Sequence, residues 1–172
     1  MTTKHYQAPW GRRVRLITLA VLGFAVAFSA LLPLLIRNAE DRPAEWIVPL
    51  ALVAVFGGTA LFFVRGFEIT DSAVLVHRSF WRNRIPLAQI ETAEVDPRAC
   101  ERAWKTCGND GLFAMHGRFR NKRLGKFQAY VTDPDNAVVL RVPGDIIVIS
   151  PEHPRQFVQD LNRRLARLKE QR

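Results

Sequence analysis

The feature that most constrains this chain is a pair of long apolar runs close together near the N-terminus. Residues 14–36 carry a charge only at Arg15, at the very start of the run, and residues 46–64 carry none. As α-helices these runs would measure about 34 Å and about 28 Å, against a hydrocarbon core of about 30 Å. A bilayer cannot satisfy backbone N–H and C=O groups, so such stretches cross it as helices. Pro33 falls near the end of the first run and Pro49 in the first turn of the second, where both are tolerated.

The first run has some features of a cleaved signal: basic residues ahead of it and an Ala25-Val26-Ala27 resembling a cleavage site. Arg12-Arg13 resembles a twin-arginine signal, which Gly11 and Arg15 fit poorly. Apolar residues continue to Ile36, which favours a retained anchor. Lys4, Arg12 and Arg13 stand before the first run, Arg15 at its very start, and Arg65, Arg78, Arg82 and Arg84 after the second. The connecting segment offers only Arg37 and Arg42, beside Glu40, Asp41 and Glu45. Positive charge stays on the cytoplasmic side. The expectation is a multi-pass protein of the plasma (inner) membrane: a cytoplasmic tail at 1–13, spans at 14–36 and 46–64, an external loop at 37–45, and a cytoplasmic domain at 66–169. Trp10 and Trp46 suit the interface, and Gly23 and Gly57-Gly58 would permit close helix approach. Beyond Arg15 neither run holds an ionisable group, so the pair reads as an anchor rather than a transport path.

The rest of the chain reads as strands punctuated by turn residues. Strands are expected at 66–70, 73–80, 85–87, 90–95, 127–132, 137–142 and 145–149. Turns fall at Asp71-Ser72, at Trp81 to Arg84, at Asp133 to Asn136 and at Pro143-Gly144. Residues 96–110 read as a loop. Ser150 as N-cap and Pro151 at the first position would open a helix on which Phe157, Leu161, Leu165 and Leu168 share one face. An apolar stripe of that kind packs on the sheet or lies in the membrane interface.

About seven strands closed by one amphipathic helix is the pleckstrin-homology (PH) pattern. The stretch Gly108 to Val142, GNDGLFAMHGRFRNKRLGKFQAYVTDPDNAVVLRV, followed by IVISPEHPRQFVQDL from Ile147 to Leu161, resembles the bacterial PH-domain family in its small membrane-anchored form. The likeness extends over residues 66–168. It implies an α+β, mainly β architecture: a two-helix transmembrane hairpin, then a PH-like β-barrel of about seven strands and one C-terminal helix. It also implies a non-catalytic binding module that recruits or regulates a protein partner. Ala114-Met115-His116 departs from the small and aromatic residues expected there.

The residues give little sign of catalysis. His77, His116 and His153 lack neighbours at metal-ligand spacing, and the Asp133 to Asn136 run is too short for a calcium loop. Gly108 and Gly111 are not followed by a phosphate-loop Lys, and Cys100 and Cys107 fit no common zinc spacing. No catalytic residue, metal or cofactor is therefore expected; an enzyme would have only scattered candidates to draw on, such as Asp110 with His116. The net charge is +9, with 19 Lys and Arg against 13 Asp and Glu in residues 65–172. The densest cations, Arg118, Arg120, Lys122, Arg123 and Lys126, interleave with Phe119 and Phe127. They read as a solvated strand face, as a contact for anionic lipid headgroups, or as a surface for a protein partner. Nucleic acid is not expected, since no reading module is present.

Overall fold

The computed structural model describes residues 3–35, 42–60, 63–109 and 114–170. A short strand, β1 (Lys4–Gln7), comes before the first long helix, α1 (Arg12–Leu35), and α2 (Arg42–Ala60) follows. The strands then run β2 (Val64–Ile69), β3 (Ala73–Arg78), β4 (Arg82–Pro86), β5 (Thr92–Val95), β6 (Trp104–Asn109), β7 (Met115–Asn121), β8 (Gly125–Val131), β9 (Val138–Val142) and β10 (Asp145–Ile149), and α3 (Pro154–Glu170) closes the chain. One sheet has the order β1-β2-β3-β4 and the other β5-β9-β10-β8-β7-β6. All pairings are antiparallel except β10 on β8.

The two sheets face one another across a core of Phe67, Ile69, Val74, Val76, Tyr130, Val138, Leu140 and Ile149. Helix α3 closes this core with Phe157, Leu161 and Leu165, the stripe read from the sequence. Each such side chain contributes about 1.5–3 kcal/mol of burial. A second cluster, with Phe119, Phe127, Val139 and Val148, covers the opposite face of the six-stranded sheet.

Several expectations are corrected. The described residues form ten strands rather than seven, in two open sheets rather than a closed barrel. Closure fails because a 3-10 turn at Leu87–Gln89, with Leu87 buried, carries the chain from β4 across to the other sheet. The 96–110 loop is structural: Ala99 is fully buried under the six-stranded sheet, and Asn121 Nδ2 donates to Ala99 O at 2.8 Å. Residues 104–109 of that expected loop are β6. The β3–β4 turn comes earlier than expected, with Arg78 N donating to Trp81 O at 3.0 Å, so Arg82 to Arg84 belong to the return strand. Ser150 does not cap α3. Its buried hydroxyl accepts from Thr132 N and Asp133 N, and the helix starts at Pro154, with Phe157 N bonded to His153 O. Gly23, Gly57 and Gly58 face open space rather than a neighbouring helix.

The largest correction concerns the tail. Residues 4–7 are built into the domain as β1, with His5 opposite Glu68 and Tyr6 opposite Phe67. Alternation buries Tyr6, whose ring meets Phe157 edge-on at 5.0 Å and whose hydroxyl donates to Asp160 Oδ2. Lys4 Nζ reaches the same carboxylate at 2.8 Å. Gly66 permits the pairing, because a Cβ there would sit 2.7 Å from Tyr6 O. The domain thus begins before α1, and β2 begins at Val64.

Helices α1 and α2 leave apolar side chains uncovered: Leu19, Phe24 and Val26 on one and Trp46, Leu50 and Val53 on the other are all more than half exposed. Helix α1 is long and apolar enough to cross a membrane, over Val14–Leu31. The apolar part of α2 among the described residues, Trp46–Gly58, is shorter than a full crossing. The expected external loop at 37–45 lies largely outside the described residues.

The β1 contact yields a test. Tyr6→Phe keeps the ring but removes a hydrogen bond to a charged acceptor, and should cost about 2 kcal/mol in denaturant unfolding. Hydrogen bonds from Lys4 and Tyr6 hold the Asp160 carboxyl below the ordinary carboxylate range. That contribution is present above the unfolded value near pH 4 and is lost as pH falls through the lower folded value. Asp160→Asn should therefore flatten the acid side of a melting-temperature profile.

Candidate functional site

The strand before α1 and the strand after α2 meet at the root of the two helices. Ala8 N donates to Arg65 O at 3.3 Å, Gly11 N donates to Thr132 O at 3.0 Å, and the Trp10 and Phe63 rings meet edge-on at 5.4 Å. Pairing of Val64 with Arg78 brings the β3–β4 turn to the same level. A cleft of about 590 Å³ opens here, lined among others by His5, Arg65, His77, Phe80, Trp81 and Arg82.

The cleft is cationic because of local register. A bulge between Val64 and Gly66 leaves Arg65 exposed, and Arg82 pairs with His77 on the outer face of the four-stranded sheet. On the same outer face, Glu68 Oε2 lies 2.5 Å from His77 Nε2 and 3.8 Å from His5 Nδ1. At the tip of the turn Phe80 is 75% exposed and Trp81 40% exposed, an aromatic pair turned to the outside.

Arg78, by contrast, points into the protein and is only 7% exposed. Its guanidinium lies 4.9 Å from the Tyr130 ring centroid and 5.4 Å from that of Trp81. Its Nη1 is 2.8 Å from His116 Nε2, and the His116 ring stacks on Tyr130 at 5.6 Å. The buried Arg78 Nε has no hydrogen-bond partner among the described residues. A desolvated cation held by π faces and an imidazole fixes the geometry of the turn. Burial pushes the Arg78 guanidinium down from its ordinary value, and it pushes the Tyr130 hydroxyl up. Burial, and then the neighbouring Arg78 charge, hold His116 below the ordinary imidazole value.

The family model for bacterial PH domains matches residues 65–165. The chain belongs to the bacterial PH domain family. No curated protein and no solved structure matches it. The matched PH segment starts at Arg65, so β1 and both long helices lie outside it, although β1 completes the four-stranded sheet.

The basic segment singled out from the sequence lies elsewhere on the PH domain. Arg118, Arg120 and Lys126 are exposed on one face of the β7–β8 hairpin, while Phe119 and Phe127 are buried on the other. Arg123 is engaged by Asp96 at 2.9 Å, and Lys122 and Arg123 line a separate cavity of about 310 Å³ with Arg98, Arg102 and Trp104. Thr132 marks the helix-root end of this hairpin, and at about 3.4 Å per residue the turn at Lys122 is roughly 20 Å beyond His116. Asp110, the other half of the pair weighed for catalysis, lies outside the described residues. Sequence reasoning missed the cleft because Arg65, His77 and Arg82 are spread over three strands and His5 lies before α1. The readable signal was the β2–β3 hairpin, whose Asp71-Ser72 turn brings Glu68 and His77 onto one face.

His116 gives a pH test. Its folded value is lowered, so the stability tied to its neutral form is complete above about pH 6.5 and fades as pH falls from there. His116→Gln, which keeps an acceptor for Arg78, should make melting temperature less pH-dependent between pH 5 and 7.

Proposed function

We propose that this protein is a membrane-anchored, non-catalytic PH-like binding module whose cleft at the helix root receives the phosphate of an anionic lipid headgroup. One observation carries the reading: exposed Arg65 and Arg82 stand beside the outward-turned Phe80 and Trp81, level with the root of two apolar helices. Aromatic side chains favour the bilayer interface, and cations near an anionic leaflet gain about 1 kcal/mol each. Uncovered apolar side chains around α1 and α2 support burial of both in lipid. The β1–β2 pairing supports both ends of the helical pair lying on one side, and the flanking charge favours the cytoplasmic side. A cleaved signal fits poorly, since cleavage within α1 would remove β1 from its sheet.

A second reading, recruitment of a protein partner, is favoured by the distal face. Exposed Arg118, Arg120 and Lys126 adjoin Trp104, which pairs with Arg120 and is 52% exposed. By strand spacing Arg118 and Arg120 lie about 7 Å and about 14 Å beyond His116, and this cationic face suits an acidic cytoplasmic protein.

Native mass spectrometry of the full chain released from mixed nanodiscs tests the first reading. One phosphatidylglycerol should be retained per chain, and Arg65→Gln with Arg82→Gln should reduce retention about tenfold or more, two cations being worth about 2 kcal/mol. Arg118→Gln with Arg120→Gln should leave it intact. Retention that follows the second pair instead would move the lipid site to the hairpin. Topology has its own measurement: Cys107 is exposed, so a membrane-impermeant maleimide should label it in opened vesicles but not in intact cells.

A further inference from the structure

His5 on β1, Glu68 on β2 and His77 on β3 each offer a ligand atom, and the three atoms lie within 4.8 Å of one another. They come from three adjacent strands and project from the same outer face, because His5 is paired with Glu68 and the β2–β3 register sets His77 diagonally across from it. The Glu68 carboxylate is 12% exposed and the His77 side chain 22%, so two of the three donors are largely shielded from solvent, whereas the His5 side chain is 69% exposed. Two imidazoles and one carboxylate form a donor set suited to a zinc-class divalent cation. With bonds of about 2.0–2.1 Å, tetrahedral donors stand about 3.3 Å apart. Here the Glu68–His77 separation is 2.5 Å and the Glu68–His5 separation 3.8 Å, values that bracket this spacing and differ from it by less than 1 Å. His5 and His77 line the cleft that Arg65 and Arg82 also line, so an ion they held would border the same cavity.

The geometry points to a divalent metal site at His5, Glu68 and His77, with three protein ligands and one position open to the cleft for a small anion. The ion would clamp β1 onto β2 and β3 and add a positive charge beside the two arginines. The site does not depend on the lipid reading, because its ligands and its test need no lipid.

The test is calorimetric titration of Zn2+ into the full-length protein without a histidine tag, purified in neutral detergent with no anionic lipid, together with Co2+ absorption spectra. The expected result is one ion per chain and a tetrahedral Co2+ spectrum that changes on adding azide. His5→Ala, Glu68→Gln and His77→Ala should each lower affinity by about 100-fold or more, since loss of even an outer hydrogen-bond partner costs ten- to one hundred-fold. His5 is exposed, so its variant keeps the fold, and the melting temperature without metal verifies this. Cys107→Ser and His153→Ala should leave affinity unchanged. Absence of saturable binding overturns the site, as does binding that survives all three substitutions or disappears with Cys107→Ser. A Co2+ spectrum indifferent to azide overturns the open position. Arg65→Gln leaves all three ligands in place and should hold affinity or raise it slightly by removing a like charge, so a failure here leaves the headgroup reading standing and a failure there leaves the metal site.

Discussion

The pairing of β1 with β2 is the contact on which the rest of the structure depends. It joins a segment ahead of the two long helices to the strand that follows them, and it completes the four-stranded sheet. Joining segments so distant in sequence costs loop-closure entropy, and the helical pair between them offsets part of that cost by returning the chain to its starting level. The remainder is met by one buried point of contact. Tyr6 sits against Phe157 and Asp160, Lys4 closes on the same carboxylate, and Glu152 N donates to Gln7 O, so the strand is held by α3 as well as by the sheet. The N-terminal segment, the PH domain and the C-terminal helix are thereby one unit.

Register in this pairing decides what the outer face can do. Side chains alternate along a strand, so the alignment that buries Tyr6 also turns His5 outward beside Glu68. A slip of one residue would bury the histidine and expel the tyrosine. The same alternation on β3 sends Val76 to the core and His77 to the cleft, and on β4 it aligns Arg82 with His77. Core packing and cleft chemistry are therefore set by the same hydrogen-bond ladder.

The arginines near the root divide the work by burial. Arg78 faces inward and braces the β3–β4 turn against Tyr130 and His116, where its charge is costly and its geometry fixed. Arg65 and Arg82 face outward, where charge is free to meet a ligand. Nothing in the identity of these residues distinguishes the two roles. Position in the pleat and the bulge after Val64 do.

Local pattern was enough to read the two apolar helices, most strands of the PH domain and the stripe of Phe157, Leu161, Leu165 and Leu168, because each depends on periodicity within a few turns of chain. The family was legible for the same reason, from ordered motifs between Gly108 and Leu161. Ser150 shows the limit: a residue suited to cap a helix instead satisfies Thr132 and Asp133 from a neighbouring strand. The basic run from Arg118 to Lys126 drew attention because its cations are contiguous in sequence, although the hairpin carries them away from the root. The cleft was hidden because its members, His5, Arg65, His77 and Arg82, are distributed among four strands. By itself the sequence determined which segments are apolar, which alternate and where the chain turns, all properties of neighbours along the backbone. Only the tertiary structure decided that the N-terminal segment is a strand, that the sheets stay open and which cations share a cavity, because those outcomes rest on pairing between residues far apart in sequence.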